Sequence, residues 1–221
     1  MRAEHDQDLA VLARNGDHDA LVAALGASDS GAGAHVVLAT GAVRDSAKPA
    51  AVEAMGRALA DHGKTLLVAA DLRGPELRKR FDLDLGAGLT DLLALLEKTR
   101  RSRIEKELFE RTLNRIWGAG PDGADGRLHV ITTGPRARGA SRMVMGQPMR
   151  DLLEALRDLD YRYVVVDGPP LLKSGSAPVL AQWADSTVVV ANPARLSPKK
   201  HGKLDAAMAS LDPRPLGLIV P

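Results

Sequence analysis

The chain has 221 residues, of which 45% are hydrophobic and 3% aromatic, and its 30 basic and 28 acidic residues leave a formal net charge of +2. This length suits one α/β domain or two small ones, and the near-balance of charge argues against nucleic-acid binding. The absence of cysteine excludes disulfides and thiolate metal sites. Since there is also no apolar run of ~18 residues and no signal-peptide pattern, we predict a cytoplasmic protein.

In chain order, residues 8–25 predict two short helices, and residues 27–34 predict a flexible connector. Six short apolar segments then alternate with helical patterns. The predicted strands are Val36–Thr40, Thr65–Ala70, Leu128–Thr132, Tyr163–Asp167, Ser186–Ala191 and Leu216–Val220. The predicted helices are Pro49–His62, Leu89–Trp117, Gln147–Leu159, Pro178–Trp183 and Lys199–Leu211. Because strands that are apolar throughout are buried on both faces, the pattern predicts a doubly wound, mainly parallel α/β sheet flanked by helices.

A densely charged stretch, Glu97–Arg115, does not fit a minimal α/β unit. Its apolar residues recur at helical spacing, and two interpretations stay open. The first is a solvated helix that packs on the domain. The second is a docking helix over residues 97–117 for a partner or an anionic membrane, although the mixed charges weaken the membrane version. We therefore divide the chain into an N-terminal helical segment and connector, 1–34, and an α/β domain, 35–221, with a charged helical insertion near 94–126.

The segment after the first of the six strands has the layout of a phosphate-binding loop but lacks several of its residues. The pattern G-x-x-x-x-G-K-[ST] would require glycine at positions 42 and 47 and Ser or Thr at 49, whereas the chain has Ala42, Ala47 and Pro49 around Lys48. Glycines allow backbone N–H groups to close around phosphate oxygens. Proline has neither the N–H nor a hydroxyl for Mg²⁺, although it suits the first turn of a helix.

Two aspartates follow predicted strands, Asp71 after the second and Asp167 at the end of the fourth. Aspartates at the carboxyl ends of parallel strands lie at the edge where open α/β sheets bind ligands, and such residues position Mg²⁺ in P-loop proteins. Together with Lys48 they predict one shared site. The structural alternatives are a helix N-cap or turn role for Asp71 and a turn role before Gly-Pro for Asp167. The six histidines show no metal-ligand spacing, and we predict no metal cluster.

From residue 35 to its end the chain resembles the cytoplasmic domain of bacterial tyrosine kinases (BY-kinases), which control capsule and exopolysaccharide synthesis. These kinases belong, with MinD and ParA, to the deviant-Walker P-loop group. Asp71–Leu77 (DLRGPEL) resembles the family pattern D-x-D-x-R-x-P-x-L. Four more stretches follow in family order, namely Gly88–Leu93, Leu128–Pro135, Asp167–Pro170 (DGPP) and Ala184–Val190. The resemblance implies a P-loop NTPase-like, three-layer fold, nucleotide contacts from Arg44, Lys48 and Arg73, and catalytic or vestigial roles for Asp71 and Asp167.

The chain departs from this family at positions that carry its chemistry. Asp45 occupies a glycine position and would bring a carboxylate toward phosphate, which for unit charges ~4 Å apart costs about 4 kcal/mol at an effective dielectric constant near 20. Ala69 replaces the first aspartate of the D-x-D pattern, which the family uses in catalysis. The E-x-x-R-x-x-R helix of ring assembly is poorly matched. The only tyrosines are Tyr161 and Tyr163, so the family's C-terminal tyrosine cluster is absent from this sequence.

These departures lead to a hypothesis with two alternatives. The leading hypothesis is a degenerate pseudokinase-like domain that binds ATP weakly or not at all and regulates exopolysaccharide assembly. Lys48 is then a relic that pairs with Asp45, Asp71 or Asp167. The expected partners are a membrane chain-length regulator, through which the domain would associate with the membrane, or a kinase paralogue, and a homo-oligomer stays open. The alternatives are an active ATP- and Mg²⁺-dependent tyrosine autokinase with an atypical P-loop, in which Lys48 still contacts phosphate, and a MinD/ParA-type ATPase.

Overall fold

The structure is a computed structural model. It describes residues 11–14, 18–28, 31, 33–43, 47–74, 76–84, 86–99, 106–116, 118–119, 126–135 and 138–221.

Eight described strands form one sheet. They are β1 (Val11–Arg14), β2 (His35–Gly41), β3 (Thr65–Ala69), β4 (Gly118–Ala119), β5 (Leu128–Ile131), β6 (Tyr163–Asp167), β7 (Ser186–Val190) and β8 (Gly217–Val220). Their order across the sheet is β1-β8-β7-β2-β6-β3-β5-β4. All neighbouring pairs are parallel except β4–β5, which is antiparallel. The strand β6 therefore lies in the middle of the sheet, between β2 and β3.

Helices cover both faces of this sheet. They are α1 (Asp19–Ser28), α2 (Ala47–His62), α3 (Glu76–Arg80), α4 (Leu89–Thr99), α5 (Lys106–Ile116), α6 (Ala140–Val144), α7 (Gln147–Arg157), α8 (Ser176–Ala181) and α9 (Pro198–Ala209), with a 3₁₀ turn at Pro193–Arg195. Apolar residues of α1, α2 and α3 join one core layer, and those of α4 to α9 join the other. Among the described helices, none is both long and apolar enough to cross a bilayer.

Successive strand residues supply the two core layers alternately, which explains why the strands are apolar throughout. In β2, Val36 and Leu38 belong to one layer, and Val37 and Ala39 belong to the other. A strand that is buried on both faces has no solvent side on which polar residues would alternate. The sequence-based prediction of a doubly wound, mainly parallel sheet is confirmed, and all six predicted strands are present within one or two residues at each end.

Other predictions are corrected by the structure. The first predicted N-terminal helix is wrong over Val11–Arg14, which is β1 and pairs with β8. The helix predicted over Leu89–Trp117 corresponds to the two helices α4 and α5, and residues 100–105 and 117 lie outside the described residues. The sequence analysis missed α3, α6 and β4, which are too short to show periodicity. The proposed division of the chain at residue 34 stays a prediction.

A buried histidine–tyrosine pair lies near the amino-terminal ends of β5 and β6. His129 of β5 and Tyr161, just before β6, are joined by a hydrogen bond of 2.7 Å between Nδ1 and the hydroxyl, and their rings meet edge to face. Burial lowers the pKa of His129 below 6.5, the charge of Lys64 acts in the same direction, and a hydrogen bond with the backbone of Gly126 opposes them. Burial, with the nearby Asp160 carboxylate, raises the pKa of Tyr161 to about 12.

The lowered pKa of His129 predicts that the contribution of this residue to stability falls on acidification. Above about pH 6.5 the imidazole is neutral in both states, and its contribution to stability is complete. As the pH falls below this value, the unfolded chain takes up the proton first, so the free energy of unfolding decreases toward the folded-state pKa. His129→Gln should flatten this decrease in urea unfolding between pH 5 and 8. Identical pH profiles for the wild type and His129→Gln would refute the assignment.

Candidate functional site

The side chain of Lys48 lies inside the protein, where its charge is neutralised by a carboxylate. Lys48 follows β2 in the first turn of α2 and is 4% exposed. Its ammonium forms an ion pair with Oδ1 of Asp167 and donates a hydrogen bond of 2.6 Å to the carbonyl of Gly168. Gly41 makes room for the lysine, because a Cβ at this glycine would lie 3.1 Å from Cδ of Lys48.

Asp167 supplies the other charge of this pair from the end of the central strand. It is 5% exposed and stands in register with Ala39 of β2 on one side and Ala69 of β3 on the other. Burial raises the pKa of the Asp167 carboxyl above its usual range, the Lys48 ammonium opposes that rise, and the Asp71 carboxylate adds to it. The two aspartates predicted to share a site are therefore close enough to influence each other electrostatically.

Asp71 lies beside this pair and also organises a turn. Its backbone N–H donates to the Asp167 carbonyl at 2.9 Å, and its Oδ1 accepts from the N–H of Arg73 at 3.2 Å. An aspartate that accepts from the N–H two residues ahead forms an Asx-turn, so the structural alternative for this residue is realised. The side chain is nonetheless only 8% exposed and stands at the predicted edge of the sheet.

The backbone after β6 is tied directly to the backbone after β2. The N–H of Gly168 donates a hydrogen bond of 2.9 Å to the carbonyl of Ala39, and the N–H of Leu171 donates one of 2.8 Å to the carbonyl of Gly41. Gly168 also fits closely, because a Cβ there would lie 2.6 Å from Cδ1 of Leu38. These bonds hold the start of the P-loop-like segment against the segment that carries Asp167.

The structure brings some of the predicted site residues together and not others. Lys48, Asp71 and Asp167 come together, whereas Arg73 is exposed beside them. Arg44 and Asp45 lie outside the described residues, so the nucleotide contact predicted for Arg44 and the repulsion predicted for Asp45 stay predictions. Pro49 lies in the first turn of α2, as its sequence position predicts.

A cleft of about 450 Å³ opens next to Asp71 and Arg73. Its walls come from three separate stretches of chain, namely Ala70–Arg73, the α6 region at Ser141, Val144 and Met145, and the segment after β6 at Pro169, Pro170 and Lys173–Ser176. The sequence shows no base near Ser141 or Ser174 and no motif at Lys173, so sequence reasoning assigned none of the three to a site. The nearest signal is the polar stretch Lys173–Ser176, which begins three residues after Pro170. The cleft combines cationic, hydroxyl and apolar groups and is accessible to a ligand or a peptide segment.

Among the described residues, the groups at this site fit Mg²⁺ and a nucleotide poorly. The position that provides a hydroxyl ligand in a P-loop is Pro49, which has no oxygen in its side chain. The ammonium of Lys48 contacts the carboxylate of Asp167, and Ala69 contributes no acid. The arrangement can hold an internal ion pair and present a cleft, and we derive no catalytic step from it.

Comparison with known proteins identifies relatives of this chain, although no protein-family model matches it. The tyrosine-protein kinase YwqD of Bacillus subtilis is 28% identical over 158 residues, which cover 71% of this chain and 59% of YwqD. The tyrosine-protein kinase Etk of Escherichia coli K12 is also 28% identical over 158 residues, which cover 71% of this chain and 19% of Etk. The matched part is thus less than two thirds of the length of either relative.

Solved structures show the same fold. The VpsO kinase domain aligns with a TM-score of 0.69 at 23% identity, over 90% of this chain and 92% of that domain. A ParA family ATPase from Chlorobium tepidum aligns with a TM-score of 0.64 at 15% identity, over 85% of this chain and 72% of the ATPase. The predicted P-loop NTPase-like fold is therefore confirmed.

The buried ion pair predicts a large and specific loss of stability when Lys48 is replaced. Lys48→Met leaves the Asp167 carboxylate without its counter-charge and should lower the free energy of unfolding by about 3–5 kcal/mol at neutral pH. The loss should shrink as the pH falls toward the ordinary aspartate pKa of 3.8, because protonation removes the buried charge. Urea unfolding followed by circular dichroism measures both effects.

Two controls separate this ion pair from exposed ones. Lys48→Met/Asp167→Asn removes both charges and should recover part of the loss. Arg150→Met breaks the 3.0 Å pair with Glu154, whose side chains are both more than half exposed, and should cost about 0–1 kcal/mol. If Lys48→Met lowers the free energy of unfolding no more than Arg150→Met does, the Lys48–Asp167 pair does not stabilise the fold in the way described.

Proposed function

Since the homologues of this chain are bacterial tyrosine kinases, we propose that it is a degenerate member of their group, which binds ATP weakly or not at all and acts as a regulatory binding partner in exopolysaccharide or capsule biosynthesis. In this proposal the P-loop NTPase-like fold serves as a scaffold for protein interactions. The chemistry of phosphoryl transfer has been lost, while the architecture that once supported it is retained.

The observation that carries the proposal is the position of the Lys48 ammonium. In a P-loop the lysine is directed to the phosphates, where it offsets their negative charge. Here it is buried, paired with Asp167 and bonded to the Gly168 carbonyl at 2.6 Å. To reach a phosphate, Lys48 would have to leave a buried carboxylate behind, and an uncompensated buried charge costs several kcal/mol.

Two neutral residues support the same proposal independently. Pro49 is buried at the start of α2 and offers neither the N–H nor the hydroxyl of the usual Ser or Thr. Ala69 is buried beside Asp167 in the register of β3 and β6 and provides no carboxylate there. Each change removes a group with a different role, so reversing one alone would not restore the site.

The proposed partner is a membrane chain-length regulator or an active kinase paralogue, and association with the membrane would then occur through that partner. The support is the class of the relatives, which are named tyrosine-protein kinases, together with the open cleft beside Asp71 and Arg73. Two of its three walls, Ala70–Arg73 and the segment after β6, are held together by the hydrogen bonds that the N–H groups of Ala70 and Asp71 donate to the Asp167 carbonyl. A partner segment could therefore dock there without nucleotide.

Isothermal titration with Mg²⁺·ATP and Mg²⁺·ADP tests the loss of nucleotide binding. We expect no heat of binding in the micromolar range, because the Lys48 charge is already neutralised and the hydroxyl ligand is missing. The matched comparison is Lys48→Ala, which should give the same flat titration as the wild type. Micromolar affinity in the wild type that disappears in Lys48→Ala would overturn the proposal.

A restoration series tests which changes matter. Asp45→Gly/Ala47→Gly/Pro49→Ser should raise the affinity for nucleotide at least tenfold if the loop alone was lost, a change of about 1.4 kcal/mol. Adding Ala69→Asp should be required before any phosphoryl transfer is observed. No gain in affinity from the loop variant would show that the defect lies elsewhere in the site.

A second candidate function is an active tyrosine autokinase with an atypical loop. It is favoured by the fact that Lys48, Asp71 and Asp167 are all present and gathered at one edge of the sheet. Radiolabelled phosphate on a tyrosine, lost in Asp167→Ala, would support this candidate against the first. Dimerisation that depends on ATP would instead favour a MinD/ParA-type ATPase.

A further inference from the structure

We propose that the start of α9 and the turn before it form a basic surface that binds an anionic lipid bilayer directly. The surface consists of the exposed side chains of Arg195, Lys199, Lys200 and Lys203, and we call it the α9 basic surface. This proposal is separate from the nucleotide question, because none of the four residues belongs to the site around Lys48.

The α9 basic surface is a compact region of unneutralised charge. Lys199 and Lys203 are one helical turn apart, about 6 Å along the axis, and Lys200 lies between them. Residues 194–204 contain no acidic side chain. Among the described residues, none of the four cations takes part in an ion pair within 4.0 Å. Because Lys199, Lys200 and Lys203 lie within about one Debye length of each other along the helix, their charges act together on an approaching anionic surface.

Two of these cations, Lys199 and Lys200, are also placed where the helix itself disfavours them. The amino-terminal end of a helix carries partial positive charge, so Asp and Glu stabilise the first turn and Lys destabilises it. The first turn of α9 has no acidic residue, and its N-cap, Ser197, makes no side-chain capping bond. Lys199 and Lys203 also form a like-charge i,i+4 pair, which is unfavourable. This placement of lysines lowers the stability of the helix. Residues that break such a local rule are expected at functional sites, so a binding role for the surface accounts for them.

The chemistry of the surface favours a lipid bilayer over a protein or a nucleic acid. Protein interfaces are centred on aromatic or other large apolar side chains. In the part of the chain that the structure describes, the exposed large apolar side chain is Met145, which lines the cleft and is not part of the α9 basic surface. Proteins that recognise a particular nucleic-acid sequence use bidentate contacts from arginine or aromatic rings that stack on bases. Three of these four residues are instead lysines, which act as point charges. A bilayer with anionic headgroups requires only clustered cations without a pocket.

Binding through this surface would orient the domain. The turn at Pro193–Arg195 and the start of α9 follow the carboxyl end of β7, which is parallel to β2. The α9 basic surface therefore lies at the same edge of the sheet as Asp167 and the cleft. A domain bound to a membrane in this way would hold the cleft near the headgroups, where a membrane-anchored partner could reach it.

Co-sedimentation of the full chain with vesicles tests the proposal. We expect binding to phosphatidylcholine vesicles that contain phosphatidylserine, little binding to pure phosphatidylcholine vesicles, and weakening as salt is raised. Lys199→Gln/Lys203→Gln should weaken binding about thirtyfold, since each lysine near an anionic membrane contributes roughly fivefold. Lys199→Arg/Lys203→Arg should retain binding, and the thermal midpoint of the glutamine variant should be unchanged or higher.

A control of equal charge makes the test specific. Lys79→Gln/Lys98→Gln removes two exposed lysines elsewhere, and both glutamine variants lower the formal net charge from +2 to 0. The control should bind vesicles like the wild type. The proposal is overturned if both glutamine variants lose vesicle binding equally, or if the chain shows no preference for vesicles that contain phosphatidylserine. It is also overturned if the chain binds duplex DNA or an acidic peptide as tightly as these vesicles at the same salt concentration.

Discussion

The ion pair between Lys48 and Asp167 is the interaction on which the arrangement of the candidate site depends. It joins the first turn of α2 to the end of the central strand β6, and both side chains are almost completely buried. Two charges inside a protein are tolerated only when they neutralise each other and are further hydrogen-bonded, as Lys48 is to the Gly168 carbonyl at 2.6 Å. The pair thus fixes the first turn of α2 against the end of β6.

If the domain is degenerate, as we propose, the packing of its core explains how the fold persists without its chemistry. The hydrophobic layers on both faces of the sheet specify the architecture, and they do not involve the ligand-binding groups. Pro49 still lies in the first turn of a helix, and Ala69 still packs in a strand, although Pro49 has no side-chain hydroxyl and Ala69 has no carboxylate. The apolar layers would therefore form whichever residues stand at positions 49 and 69, and a likeness in fold to ATPases does not by itself imply activity.

The two proposals concern different parts of one edge of the sheet. The cleft beside Asp71 and Arg73 is concave and partly apolar, which suits a specific ligand or segment, whereas the α9 basic surface consists of exposed lysines and an arginine without a pocket. Recognition by shape and attraction by charge differ in their dependence on salt. A regulatory domain that combined them could be recruited to a surface first and engage its partner there.

The sequence by itself determined the six parallel strands, the α/β class and the convergence of Lys48, Asp71 and Asp167, because apolar runs and strand-end aspartates are local signals. Tertiary structure alone decided which carboxylate Lys48 meets, since the candidates are distant along the chain and only the sheet order brings Asp167 to α2. It also decided that Val11–Arg14 is a strand, because pairing with β8 outweighs the local helical spacing. The cleft could not be read from motifs, because its walls meet only when three distant segments fold together.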